Sequence, residues 1–131
     1  MWFSNESAAI GSWGHISNWD VSAVTDMRDA FKDKTTFDED ISNWNVSNVT
    51  QMYQMFFNAH AFNQDIGSWN VSNVGFGSTN KGMYEMFRNA YAFNNGGSNS
   101  INNWDVGNVK TTRGLFLSAQ AFNQNIGNWN T

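Results

Sequence analysis

The sequence predicts an α/β repeat fold, a short right-handed solenoid with a parallel sheet on one side and short helices or turns on the other. Three observations lead to this prediction. A motif of Ile, Trp and Val begins at residues 16, 41, 66 and 101, and its Ile and Trp recur from residue 126, which gives an underlying period of 25 residues. Apolar and polar residues alternate within each motif, as they do in a strand. The residues after each motif have apolar side chains at helical spacing.

The first half of each unit predicts a strand. In residues 41–46 the apolar side chains occupy positions 1, 4 and 6, which is the spacing of leucine-rich repeats. One such strand cannot bury its apolar face alone, whereas stacked units spaced about 4.8 Å apart can. Large residues at fixed places in this pattern are therefore predicted to form the core: Trp19, Trp44, Trp69, Trp104, Phe62, Phe93 and Phe122.

The second half of each unit predicts a short helix. Met52, Met55, Phe56 and Ala59 follow one another at steps of three and four residues, so a helix would place them on one face. A threonine precedes the segment at position 50, where its hydroxyl could cap the first turn.

The chain of 131 residues is expected to form a single solenoid domain. Residues 1–15 do not follow the repeat and are expected to be an irregular N-terminal segment or a cap. The third unit is longer than the others because of insertions within 75–82 and 94–100. Insertions in repeat proteins fall in loops that often lie at a binding face. The candidate contacts on these rims are Phe76, Lys81 and Asn95.

Composition excludes several classes of protein. The chain has no Cys, which excludes a disulfide scaffold and a cysteine-zinc site. A net charge of -4 excludes a basic nucleic-acid binder. No apolar stretch is long enough to cross a membrane, and the first residues lack the pattern of a secretion signal.

Catalysis is not expected from the titratable residues. His15 and His60 lie in different units, without a nearby nucleophile partner, so the chain is predicted not to be an enzyme. The carboxylates at 38–40 raise the alternative of a calcium site, since calcium binds through oxygen ligands. Asp65 occupies the position of Asp40 one unit later, but the residues two and three units further on, Ser100 and Asn125, are neutral, which favours a solvated acidic turn. No cofactor is predicted.

Two columns of polar residues are the candidate binding surface. Stacked amides can hydrogen-bond to one another in a purely structural role. The same amides could bind sugar hydroxyls or the backbone of a partner, and the sequence leaves both possibilities open. One column contains Asn18, Asn43, Ser68, Asn103 and Asn128, and the other contains Asp20, Asn45, Asn70, Asp105 and Asn130.

The two ends of the stack suggest a different kind of contact. Terminal units without caps expose apolar faces and strand edges. A head-to-tail contact that does not close produces a filament, and removal of residues 1–13 is expected to abolish such assembly. The candidate end-to-end contacts are Trp2, Phe3, Ile10, Trp13, Ile126 and Trp129.

The repeat resembles that of BspA-like leucine-rich-repeat surface proteins, also described as the mycoplasma-type lipoprotein repeat. The shared pattern is M-F-x-x-A-x-x-F-N-Q-D-I-x-x-W-x-V-S-N-V-T-x-M, which is seen across residues 55–74 and 41–52. The resemblance covers nearly the whole chain from residue 16 onward, with departures at the two insertions.

This resemblance implies an extracellular or cell-surface protein without catalytic activity, whose repeats serve attachment. We therefore expect non-enzymatic adhesion or protein–protein interaction, with extracellular proteins or glycans as partners. The alternatives are a structural subunit that assembles end to end into a filament, and a glycan-binding module.

Overall fold

A computed structural model describes residues 3–77 and 82–130, apart from the side chain of Ile10. Two candidate contacts, Trp2 and Lys81, lie outside the described residues. None of the described helices has the length and apolar content needed to cross a bilayer. The elements are helix α1 at Glu6–Trp13 and three 3-10 helices at Ile16–Asn18, Asn95–Gly97 and Asn99–Asn103.

The prediction of a leucine-rich-repeat solenoid with a parallel sheet is wrong. An isolated bridge between Asp26 and Gln51 is the one β pairing in the described part of the chain. The segments expected to be strands are successions of tight turns, each closed by a hydrogen bond between residues three apart. In the second unit, Trp44 N donates to Ile41 O at 3.1 Å.

Polar side chains between the apolar positions explain why turns replace strands. Asn45 Oδ1 accepts a hydrogen bond from Ser47 N at 3.1 Å, and Asn70 Oδ1 accepts one from Ser72 N at the same distance. Asn and Asp at the start of a turn form this contact, which competes with an extended backbone. The spacing of Ile, Trp and Val therefore reflects successive turns, each of which directs one apolar side chain into the core.

The helix predicted after each strand does not form either. Gln54 and Asn58 have φ values of 54° and 58°, in the left-handed region, and a right-handed helix cannot continue through such residues. The apolar spacing of three and four residues arises because the chain bends at both residues. Equivalent left-handed residues in the other units are Asp29, Asp33, Glu85, Asn89, Gly114 and Ser118.

Alternate backbone N–H groups join each unit to the next. Gln54 N donates to Tyr84 O at 2.9 Å, and Phe56 N donates to Met86 O at 2.9 Å. Similar bonds lead from residues 27–33 to residues 51–57, and from residues 85–89 to residues 113–117. The units therefore stack in sequence order through hydrogen bonds between turns.

Columns of aromatic rings fill the interior of the stack. In the first column, neighbouring phenylalanine rings lie 5.4–5.6 Å apart with nearly parallel planes. Trp69 Nε1 donates to Ile41 O of the preceding unit at 3.0 Å, and later tryptophans repeat this bond. Of the residues expected in the core, Trp44, Trp69, Trp104, Phe62 and Phe93 are buried, and Trp19 and Phe122 are half-buried.

Candidate interaction face

Two neighbouring columns of side chains form an outer face of the stack, which we call the aromatic–cation face. Arg28 and Lys32 precede Tyr53 and Phe57 by one period of 25 residues. At the later members of each column, the backbone carbonyls accept the hydrogen bonds between units, so the positions are equivalent. All eight side chains are exposed or half-buried. The first column contains Arg28, Tyr53, Tyr84 and Arg113, and the second contains Lys32, Phe57, Arg88 and Leu117.

Cations hold the aromatic rings of this face in place. The Arg28 guanidinium donates to the Tyr53 hydroxyl at 3.2 Å and lies 5.9 Å from the centre of its ring. Lys32 Nζ lies 5.2 Å from the centre of the Phe57 ring, and the Arg88 guanidinium lies 5.6 Å from the same point. Cations at such distances are attracted to the ring's negative face. Phe57 is therefore held between positive groups from the units before and after it.

A buried carboxylate holds two cations of the second column. Glu85 accepts hydrogen bonds from Gln54 Nε2 at 2.9 Å and from Arg88. Lys32 Nζ donates to the side-chain oxygen Oε1 of the same Gln54 at 3.4 Å. Burial alone raises the pKa of Glu85, but hydrogen bonds from Gln54 and Arg88 outweigh it and lower the pKa below its usual value. The carboxylate therefore stays ionised and fixes the cations around it.

The composition of this face is that of a protein interface. It carries four of the seven Lys and Arg residues of a chain whose net charge is -4. Arg, Tyr and Phe are enriched in the centres of protein interfaces, where a few such residues provide most of the binding energy. The sequence analysis missed the face because it considered only the apolar positions that a helix would place on one side, such as Met52, Met55 and Phe56. The recurrence of the face's own positions at the same offsets as the core residues was the available signal.

The polar column that begins at Asp20 stabilises turns. Asp20 Oδ1 accepts from Ser22 N at 2.9 Å, and Asp105 Oδ1 accepts from Gly107 N at 3.0 Å. Asn45 and Asn70 make the same contact within their own units. This column therefore closes turns within units and forms no ladder between them. Asn130, the last member, is exposed.

The other polar column is exposed, and its side chains do not bond to one another among the described residues. Ser68 Oγ donates to Ser42 O at 3.4 Å, and Asn128 N donates to Asn102 Oδ1 at 2.9 Å. The exposed members are Asn18, Asn43, Ser68, Asn103 and Asn128.

An amide ladder does exist on the left-handed residues. Asn58 Nδ2 donates to Asp33 Oδ1 at 2.7 Å, and Asn89 Nδ2 donates to Asn58 Oδ1 at 2.8 Å. These bonds run from unit to unit along the stack. The expected structural ladder therefore lies beside the aromatic–cation face, at positions that the sequence did not single out.

The two insertions differ in what they expose. Phe76 is 65% exposed and stands on the surface. Asn95 is buried, contrary to its expected place on a rim, since its Oδ1 accepts from Ile66 N and its Nδ2 donates to Ser98 O, both at 2.9 Å. Asn95 therefore closes the second insertion onto the core.

The N-terminal segment caps the first unit. Phe3 lies edge-on against Phe31 and Phe37, at 5.8 and 5.6 Å between ring centres. Trp19 Nε1 donates to Gly14 O at 3.0 Å, whereas each later tryptophan donates to an Ile carbonyl of the preceding unit. Phe3 and Gly14 thus replace the contacts of a further unit. At the other end, Ile126 and Trp129 line a shallow pocket of about 510 Å³.

The acidic run at 38–40 does not gather into one site. Asp38 Oδ1 accepts from Asn63 N at 2.8 Å, and Asp40 Oδ1 accepts from Ser42 N at 2.9 Å. Each of these two carboxylates is therefore engaged in a separate turn or inter-unit contact. This arrangement does not support the calcium alternative.

Glu6, His15 and Glu39 approach one another, with potential metal-ligand atoms within 4.8 Å. Ser17 N donates to His15 Nδ1 at 3.2 Å, so the proton of the neutral imidazole is on Nε2. That nitrogen lies 3.3 Å from Glu39 Oε2. This contact joins the N-terminal segment to the first unit.

The profile of one protein family matches the sequence in two overlapping segments, residues 2–99 and 77–131. No curated protein matches the chain. No solved structure matches it either. Because the two segments together cover nearly the whole chain, the protein belongs to the family described as "Mycoplasma protein of unknown function, DUF285".

Proposed function

We propose that the protein is a non-enzymatic, extracellular or cell-surface repeat protein that mediates adhesion or protein–protein interaction through the aromatic–cation face. The observation that carries this proposal is the pair of columns in which Arg and Lys fix aromatic rings at the surface. The resemblance of the repeat to BspA-like surface proteins supports the same function and location.

The arrangement of the face favours a protein as the partner. Its half-buried rings and the exposed Leu117 offer apolar contact, while its cations would pair with carboxylates of the partner. The hydrogen bonds and ring contacts already order these side chains before binding. A preordered surface loses less conformational entropy on association, so more of the contact energy contributes to affinity.

A paired substitution at the last unit tests the proposed face. Arg113→Glu together with Leu117→Asp reverses one charge and removes the apolar contact at exposed ends of both columns. We expect binding to an immobilised panel of purified collagen, laminin and mucin to weaken at least about tenfold, as for loss of a hot spot. Surface plasmon resonance on the intact chain measures this change.

Phe76→Asp together with Lys110→Glu is the matched control, because it makes the same kinds of change at exposed residues outside the two columns. We expect this variant to bind like the wild type. Equal weakening by both variants, or no saturable binding of the wild type to any panel protein, would contradict the proposal. Thermal melts exclude loss of folding as the cause.

End-to-end assembly is a second candidate because the end units carry complementary rows of backbone groups. The N–H groups of Gly114, Phe116 and Ser118 have no partner in residues 3–77 and 82–130. The carbonyls of Arg28, Ala30 and Lys32 likewise have none within those ranges. These rows are equivalent to the donors and acceptors that join units inside the chain. A second copy in the same register would continue the ladder.

The N-terminal cap opposes this assembly, since Phe3 occupies the place where rings of a second copy would stack. We therefore expect the intact chain to stay monomeric, and a variant lacking residues 1–15 to form concentration-dependent polymers. This reverses the expectation that removal of the segment abolishes assembly.

Light scattering and electron microscopy across a concentration series measure this prediction. The milder variant Phe3→Ser, which keeps the rest of the segment, should assemble to a smaller extent. Monomers of both variants with an intact fold by circular dichroism would exclude the end-to-end contact. Filaments of the unaltered chain would show that the segment does not act as a cap.

A further inference from the structure

Helix α1 places a second tryptophan against the first tryptophan of the repeat. The ring centres of Trp13 and Trp19 are 6.3 Å apart, and their planes stand at 85° to each other. In the last units, by contrast, Trp104 and Trp129 stack with their planes 7° apart. Trp13 stands across Trp19, so the row of repeat tryptophans ends here in an open cleft of about 550 Å³. The cleft is lined by Trp13, Asn18, Trp19, Asp20 and Val21.

The walls of this cleft combine aromatic surface with free polar groups. Trp13 is 57% exposed. Asp20 Oδ1 accepts from Ser22 N and from Ser22 Oγ, at 2.9 and 2.6 Å, which fixes the carboxylate. Asp20 Oδ2 and the Asn18 side-chain amide have no hydrogen-bond partner among the residues that the structure describes. Hydrogen bonds from Ser22 also lower the pKa of Asp20, so its carboxylate is ionised at neutral pH.

The first unit differs from the later units in the exposure of the tryptophans beside its polar pair. The polar pair of Asn18 and Asp20 recurs in the second unit as Asn43 and Asn45, but the tryptophan between them, Trp44, is buried against the preceding unit. Trp69 and Trp104 are buried in the same way. The first unit therefore places a polar pair beside an exposed second indole ring.

We propose that this cleft is a carbohydrate-binding site for a neutral or amino-sugar pyranoside. The apolar C–H face of a pyranose can pack on an indole ring, while its hydroxyls donate to Asp20 Oδ2 and bond to the Asn18 amide. The volume lies within the range of about 300–1,000 Å³ typical of small-ligand sites. The ionised carboxylate disfavours acidic sugars. This site is separate from the aromatic–cation face, so it adds a second class of ligand to the proposed function.

Titration with defined saccharides tests the proposal. The probes are cellobiose, lactose, mannobiose and diacetylchitobiose, with sialyllactose as the acidic comparison, and the readouts are saturation-transfer NMR and tryptophan fluorescence. We expect saturable binding of at least one neutral or amino-sugar disaccharide. Trp13→Ala should weaken that binding at least about tenfold, and Asp20→Asn should weaken it severalfold.

Controls separate a binding role from a structural one. Asp105→Asn changes the equivalent turn carboxylate where no second exposed tryptophan stands beside it, and Asn already fills this position in the units of Asn45 and Asn70. Asp105→Asn and Arg113→Glu/Leu117→Asp should both retain wild-type saccharide affinity.

Three results would overturn the proposal. They are the absence of saturable binding to every disaccharide, preferential binding of sialyllactose, and retention of full affinity by both Trp13→Ala and Asp20→Asn. Because the saccharide titration uses neither the aromatic–cation face nor the matrix-protein panel, its failure is distinguishable from failure of the proposed function.

Discussion

Replacement of Trp69 by alanine is expected to lower the free energy of unfolding by about 3–5 kcal/mol, the usual cost of truncating a buried aromatic residue. Trp69 is 3% exposed and packs 6.4 Å from the Phe56 ring centre. Its indole N–H also joins two units through Ile41 O. The substitution therefore removes both core volume and an inter-unit hydrogen bond. Urea denaturation followed by circular dichroism measures the loss.

Two further variants separate these contributions. Trp69→Phe keeps an aromatic ring but leaves the Ile41 carbonyl without the indole donor. We therefore expect the free energy of unfolding to fall by about 1–3 kcal/mol. Trp13→Ala removes an exposed indole and should change stability by less than about 0.5 kcal/mol. An unchanged denaturation midpoint for Trp69→Ala would contradict a core built from ring columns.

Replacement of Gly75 by alanine is the second change with a large expected effect. Gly75 has φ at 90°, and an added Cβ would lie 2.2 Å from Asn108 O of the next unit. On its other side, Gly75 N donates to Thr50 O at 2.9 Å. The residue is held between two backbones, so the methyl group must push them apart. Strain and overpacking together should cost about 2–5 kcal/mol.

Gly77→Ala is the matched control for this effect. Gly77 has φ at 64°, but no atom of the described residues, its chain neighbours apart, lies within 4 Å of the position its Cβ would take. This variant should lose only about 1 kcal/mol, from the left-handed conformation alone. Equal melting temperatures for the two variants would show that the third and fourth units do not meet at Gly75.

Much of the core could be predicted from periodicity. Trp44, Trp69 and Phe62 recur at fixed offsets, and stacking of units is the arrangement that buries each of them. The local backbone could not be predicted in this way, because turn corners every three or four residues and an amphipathic helix share the same apolar spacing. Left-handed residues decide between them, and neither Gln54 nor Asn58 is a glycine that would have signalled one.

The candidate site was predicted less well than the core. Asn45 and Asp105, expected on a binding face, are exposed, and their side chains close turns within their own units. Asn95, expected on a rim, is buried because the insertion folds back onto Ile66. The aromatic–cation face depends on contacts between units 25 or more residues apart, such as the hydrogen bond from Arg28 to Tyr53. Such pairings follow from the register of the stack, which the sequence pattern alone does not specify.

NMR titration of the isotope-labelled chain with its tightest-binding matrix protein tests most directly whether the aromatic–cation face is the binding surface. We expect the largest changes at the ring resonances of Tyr53 and Tyr84 and at the Leu117 methyl groups, with little change at Trp13 or Phe76. Changes confined to Trp129 and Phe116 at the end of the stack, or to Trp13 in the cleft, would contradict the proposal that this face binds the partner.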